Sequence, residues 1–159
     1  MSKSARSFFQ NRARASRPFV DTAKLNAAFK ALRKAGLVAR QNFSCCGGCA
    51  GSQIAEEFGA ADEAKRAARM KGGVYFHKQN GEALKNGGDL YVSFGQIEYT
   101  AADKTKIVSE MKCVDVGKLA VRIFEEAGLK VEWSGSANFA ILIKADPPKD
   151  ETPIFGGAR

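Results

Sequence analysis

Three cysteines, Cys45, Cys46 and Cys49, lie within five positions of one another, and the chain carries a single histidine, His77. Cys46-Gly47-Gly48-Cys49 has the spacing of a zinc knuckle, in which glycines let backbone amides turn towards two thiolates that face one ion. A tetrahedral structural zinc takes four ligands, and the sequence holds no second pair with knuckle spacing, so Cys45, His77 or the isolated Cys113 would have to complete the set. Cys45 and Cys46 are neighbours and project to different sides of an extended segment, which makes joint ligation awkward. The same spacing serves thiol–disulfide exchange when the first cysteine sits near a helix start, and clustered exposed thiols oxidise readily. A thioredoxin-like arrangement places a cis-proline beside the thiols, whereas Pro18, Pro147, Pro148 and Pro153 all fall near the termini. A Cys–His nucleophile pair needs a thiol within hydrogen-bond reach of the imidazole and a donor for developing oxyanion charge; the sequence names no third orienting residue. Against these stands a plain alternative: the cysteines act as small apolar groups and His77 is a hydrogen-bonded sheet residue.

The elements that must position these residues follow from periodicity. Asp21 or Thr22 caps a helix whose apolar positions Leu25, Ala28, Phe29, Leu32 and Ala35 share one face, and Gly36 stops it. Leu37 to Phe43 reads as a strand, and the glycine-rich stretch Cys45 to Gly51 as irregular. Ser52 is a candidate cap for a second helix running to about Met70, anchored by Ile54 and Phe58 and ended by Gly72 and Gly73. Val74–Gln79 and Leu90–Phe94 are expected to pair as a hairpin across a polar loop that contains Asn80, Gly81, Asn86, Gly87 and Gly88. Residues 96–113 suggest a strand end plus a short helix. From Asp115, the residues Val116, Leu119, Ala120, Ile123, Phe124 and Ala127 trace a clear helical stripe, stopped by Gly128. Leu129–Trp133 and Phe139–Lys144 form a second hairpin around Ser134–Asn138, with Trp133 and Phe139 in the core or at a sheet edge. The expected architecture is a single α+β domain, a mixed sheet of about five strands with helices on one face.

The motifs Leu32 to Cys49 (LRKAGLVARQNFSCCGGC), Val74 to Gln79 (VYFHKQ), Leu90 to Gly95 (LYVSFG) and Ala127 to Gly135 (AGLKVEWSG) occur in this order. Together they resemble an uncharacterised family of bacterial proteins built on a domain of unknown function. Members of that family carry an Asn-Phe-x-Cys-Cys-x-x-Cys segment followed by a Phe-His-x-Gln strand. The resemblance spans residues 25–144 and implies a bacterial or phage-related origin and a compact domain, with no assigned activity. Because it sets the cysteine segment beside the Phe76-His77 strand, Cys46, Cys49 and His77 are expected in one neighbourhood, as metal or redox candidates together with Cys45; Cys113 lies outside the shared motifs.

With 159 residues, 45% of them hydrophobic and 26% charged, the chain suits one soluble globular domain and excludes a multidomain enzyme. No apolar run approaches the roughly 20 residues that cross a bilayer, and the N-terminus lacks the apolar centre of a secretory signal, so no membrane partner and a cytoplasmic location are expected. Clustered cysteines without such a signal fit a reducing compartment, since secreted scaffolds space their cysteines to staple distant loops.

The net charge of +8 is unevenly placed. Residues 1–20 carry Lys3, Arg6, Arg12, Arg14 and Arg17 with no acid, which leaves 20 basic against 17 acidic side chains in residues 21–159. This segment is expected to be a flexible basic arm, with Phe8, Phe9 and Phe19 among its cations, and residues 145–159 an extended tail, leaving 21–144 as the domain. The arm suits an acidic protein or nucleic acid, where charge gives sequence-independent affinity and aromatics stack on bases; its composition equally fits a transit peptide or a solvated tail. Lys65, Arg66, Arg69 and Lys71 form a second basic run, a solvated helix surface or an extension of a phosphate track. The leading reading is therefore a small intracellular binding or interaction domain, and the alternative a thiol- or zinc-dependent protein centred on Cys46, Cys49 and His77.

Overall fold

A computed structural model of the chain describes residues 20–45 and 47–146. Helix α1 spans Thr22–Lys34, and the carboxylate of Asp21 caps it by accepting from the amides of Ala23 and Lys24. Gly36, at φ +97°, turns the chain into strand β1, Leu37–Arg40. Helices α2 (Gly47–Ala60) and α3 (Glu63–Ala68) lead to β2 (Gly72–Tyr75), and α4 (Lys78–Asn86) leads to β3 (Leu90–Gly95). A small hairpin, β4 (Glu98–Thr100) and β5 (Lys106–Val108), precedes the long α5 (Cys113–Glu126) and the short strands β6 (Val131–Glu132) and β7 (Ile141–Ile143).

The five-stranded sheet runs β1-β2-β3-β7-β6; β1 and β2 are parallel and the remaining pairs antiparallel. Successive strand residues point to opposite faces, and the sequence uses both. Leu37, Ala39, Val74, Leu90, Val92, Ile141 and Ile143 meet Phe29 and Leu32 of α1 and Ala120 and Phe124 of α5 in the main core. Val38 faces the other way and joins Ile54 and Phe58 of α2 and Ile97 in a smaller cluster. The single α+β domain with a mixed five-stranded sheet thus holds, with α1 and α5 covering one face as expected and α2 adding a cover on the reverse face near β1 and β2.

Several local expectations are overturned. The glycine-rich stretch after Cys45 is helical from Gly47, because Ala50, Ile54 and Phe58, four residues apart and all buried, seat the helix on the sheet and outweigh the poor propensity of glycine. Ser52 therefore lies inside α2 rather than at its cap. The helix does not run to Met70: Asp62 starts α3 by accepting from the amide of Lys65 at 2.8 Å. Gly72 and Gly73 open β2 instead of closing a helix. The polar loop between β2 and β3 is helix α4, closed by left-handed Gly87, although the two strands pair antiparallel as expected. Residues 96–113 hold a hairpin in place of a short helix. Of the two places expected for Phe139, the core is excluded by its 64% exposure, which leaves the sheet edge. Trp133 does pack inward, edge-on to Phe94 at 5.2 Å, with its indole N–H donating to the carbonyls of Ser136 and Phe139.

The body extends beyond residues 21–144. Val20 is buried in the main core, and the amide of Ala145 donates to Asp89. The cations of the basic arm lie outside the described residues. No helix among the described residues is long and apolar enough to cross a membrane.

Candidate functional site

Beyond β1 the pairing with β2 continues as an irregular ladder. The amide of Phe76 donates to Arg40 at 3.2 Å, that of Phe43 to Phe76 at 2.9 Å, and that of Lys78 to Ser44 at 3.0 Å. Asn42 and Ser44 take left-handed conformations, at φ 52° and 67°, a region that asparagine tolerates and serine adopts less readily. The Asn42 amide fills the space beside Gly81, where a β carbon would overlap it. Glycine at 81, a position that reads from sequence as a loop, thus leaves room for the Asn42 side chain against α4.

This ladder brings Cys45 and His77 to flanking positions on joined segments. Cys45 is exposed, and Cys49 is exposed in the first turn of α2. Cys46 lies outside the described residues, so the expected neighbourhood of Cys46, Cys49 and His77 is not tested by them. Among the described residues no three His, Cys, Asp or Glu side chains gather as metal ligands, so Cys45, Cys49 and His77 do not themselves make a zinc set. His77 is not a ladder residue of the sheet. It is the N-cap of α4, half-buried, with Nδ1 accepting from the amide of Asn80 at 3.4 Å. A neutral imidazole that accepts at Nδ1 carries its proton on Nε2, the nitrogen left for other partners.

Cys113 stands apart, at the start of α5, where its sulfur accepts from the amide of Gln96 at 3.3 Å. The Gln96 side chain donates to the carbonyl of Ser109, whose buried hydroxyl accepts from the amide of Ile97 at 2.8 Å, so this corner is pinned on both strands. Next to it, between α2 and the β3–β4 corner, opens a cleft of 290 Å³ lined by Gly51, Ile54, Tyr75, Gln96, Ile97 and Glu98 among others. Its polar atoms come from β2, the β3–β4 link and β4, elements far apart in the chain, and no sequence spacing marks them as a group.

The second basic run is largely tied up in structure. Glu57 of α2 receives a two-pronged contact from Arg40 and a bond from Arg69 at 2.8 Å. Burial pushes the Glu57 carboxyl up, and the hydrogen bonds and positive charges of Arg40 and Arg69 outweigh it, holding the group below its ordinary 4.5. Arg66 donates to the carbonyls of Phe58, Gly59 and Ala61, and Lys65 lies 3.9 Å from Asp62. Elsewhere Lys85, Lys106, Arg122, Lys130 and Lys144 each face a carboxylate. The run is therefore a set of local contacts rather than one phosphate track, and Lys71 is its remaining open cation.

A family model described as domain of unknown function (DUF6891) matches residues 4–146 of the chain. No curated protein and no solved structure matches it.

Proposed function

Because the chain belongs to the DUF6891 family, described only as a domain of unknown function, we propose that it is a small intracellular binding module: a rigid α+β body whose basic N-terminal arm engages an acidic partner. The observation that carries this reading is the placement of charge. Lys3, Arg6, Arg12, Arg14 and Arg17 stand together without an acid, whereas residues 21–159 set 20 basic side chains against 17 acidic ones. Charge left uncompensated in one segment is what attracts a polyanion, by long-range steering and by release of the counterions condensed on it. The clustered cysteines support a reducing, cytoplasmic setting for such an encounter.

The test compares the full chain with a variant in which those five arm cations are glutamine. Labelled single-stranded oligonucleotide and an acidic polypeptide serve as probes. The native chain should bind one of them with an affinity that falls steeply with salt, log K declining by about 0.7 per phosphate neutralised per unit log salt for a single strand. The variant should lose that binding while melting as the native chain does. Equal binding by both chains would overturn the reading.

A further inference from the structure

We propose that a groove on the outer side of α5 docks an acidic peptide segment of a partner protein, one that carries an apolar side chain between its carboxylates. This deepens the binding-module reading and rests on it, but uses a surface formed without the arm. The groove, of 520 Å³, is lined by Lys71, Met111, Asp115, Lys118, Leu119 and Arg122. The amide of Met111 donates to the carbonyl of Lys71 at 3.2 Å, which draws the segment before β2 against the segment before α5. On α5 itself Asp115, Lys118, Leu119 and Arg122 recur at three- and four-residue steps and so share a side of the helix.

Two features select the occupant. The first is charge: three cations meet one carboxylate at the groove. Arg122 faces Glu126 at 3.9 Å with both side chains about two-thirds exposed, a pair of little energetic weight. Among the described residues no carboxylate lies within ion-pair distance of Lys71 or Lys118. The second is the floor. Leu119 continues the apolar stripe of α5, yet it is only partly buried while Val116, Ala120 and Phe124 are fully so. Leu119 and Met111 thus leave aliphatic surface between the cations. Single-stranded nucleic acid is held by stacking on aromatic rings, and none lines this groove. An aliphatic floor rimmed by ammonium and guanidinium groups matches instead an apolar side chain flanked by carboxylates, with methionine able to adapt to its shape.

The experiment uses the full chain and two fluorescent peptides, Asp-Glu-Leu-Asp-Glu and Asp-Glu-Gly-Asp-Glu, followed by anisotropy at low salt and by amide chemical-shift mapping. The leucine peptide should bind more tightly than the glycine peptide and shift the amides of Lys71, Met111 and Leu119. The double variant Lys118→Glu, Arg122→Glu alters exposed side chains only and should weaken binding by about tenfold or more. Leu119→Gln should remove the preference for leucine, and the arm variant with five glutamines should keep both that preference and the shifts at Lys71, Met111 and Leu119, whatever affinity it loses equally for the two peptides. Equal affinity for the two peptides, or indifference to the double charge reversal, would overturn the proposal. Loss of that preference and of those shifts in the arm variant alone would overturn it and leave the arm reading standing. Displacement of the peptide by an oligonucleotide, with the same sensitivity to the charge reversal, would assign the groove to nucleic acid and overturn the choice of a peptide. Strengthened binding after truncation at Asp146 would assign it to this chain's own C-terminal segment, with the same result.

Discussion

The ring of Tyr99, in β4, lies so close over Gly59, in α2, that a β carbon at 59 would overlap it. Gly59 weakens α2 as an isolated helix, yet its bare backbone is what lets the β4–β5 hairpin seat against α2 in the smaller core beside Phe58 and Ile97. An exposed helical glycine replaced by alanine gains about 1 kcal/mol. Here Gly59→Ala should instead destabilise the protein by about 1–3 kcal/mol through overpacking, measured by urea unfolding. Adding Tyr99→Ala should recover part of the loss; a stabilised Gly59→Ala would show that the ring yields freely.

Glu57 should contribute to acid sensitivity. Its carboxyl is held below the ordinary value by Arg40 and Arg69 in the folded chain, so its contribution is fully present above the unfolded carboxyl's range and is lost as pH falls through the lower folded value. Glu57→Gln should cost about 1 kcal/mol at neutral pH after solvent screening. It should also flatten the acid limb of the stability curve below about pH 4.5. An unchanged acid limb would place the titration elsewhere.

His77 should behave as a cap. Removing a capping side chain costs about 0.5–2 kcal/mol, and histidine is not among the favoured caps. His77→Ala should therefore destabilise the protein, whereas His77→Asp should hold or raise its stability, since aspartate also complements the start of a nine-residue helix. Thermal melts of the two variants decide this; equal losses in both would mean that the imidazole does something other than cap.

Val20 should mark the edge of the body. It is 4% exposed in the main core, so a chain starting at Val20 should melt within a few degrees of the full one. Val20→Ala should lower stability by about 1–2 kcal/mol at roughly 0.8 per buried methylene. Phe124→Ala, which empties the contact with Phe29 at a centroid distance of 5.8 Å, should cost about 3–5 kcal/mol. A near-neutral Phe124→Ala would contradict the packing of α5 against α1.

What could be read in advance depended on whether a local signal and the tertiary packing agreed. In α1 and α5 they do: the stripes Leu25, Ala28, Phe29, Leu32 and Val116, Ala120, Ile123, Phe124 are the buried faces, and Gly36 and Gly128 stop the helices at positive φ. In α4 the local signal is nearly absent, because Lys78–Asn86 is polar, Gly81 suggests a turn, and the cap is a histidine. At Gly47 the two conflict, and the burial of Ala50 prevails. The ladder that runs past the cysteine turn, ending in the bond from Lys78 to Ser44, has no sequence signature. The groove on α5 was hidden for a different reason. Periodicity places Leu119 in the stripe without telling that the core stops short of it.

The contact of Arg66 with the carbonyls of Phe58, Gly59 and Ala61 has a bearing on how the body opens. Helix α2 ends on carbonyls that its own last turn does not satisfy, and the donor that satisfies them belongs to α3. Neither helix is complete alone, so the end of α2 and the whole of α3 form one cooperative unit between β1 and β2, whose amides should gain and lose protection from solvent exchange together. Because Arg69, which holds Glu57, directly follows α3, an opening that frees Arg66 should also weaken that ion pair, so the crossover joining the two parallel strands should exchange as one unit, ahead of the α1–α5 side.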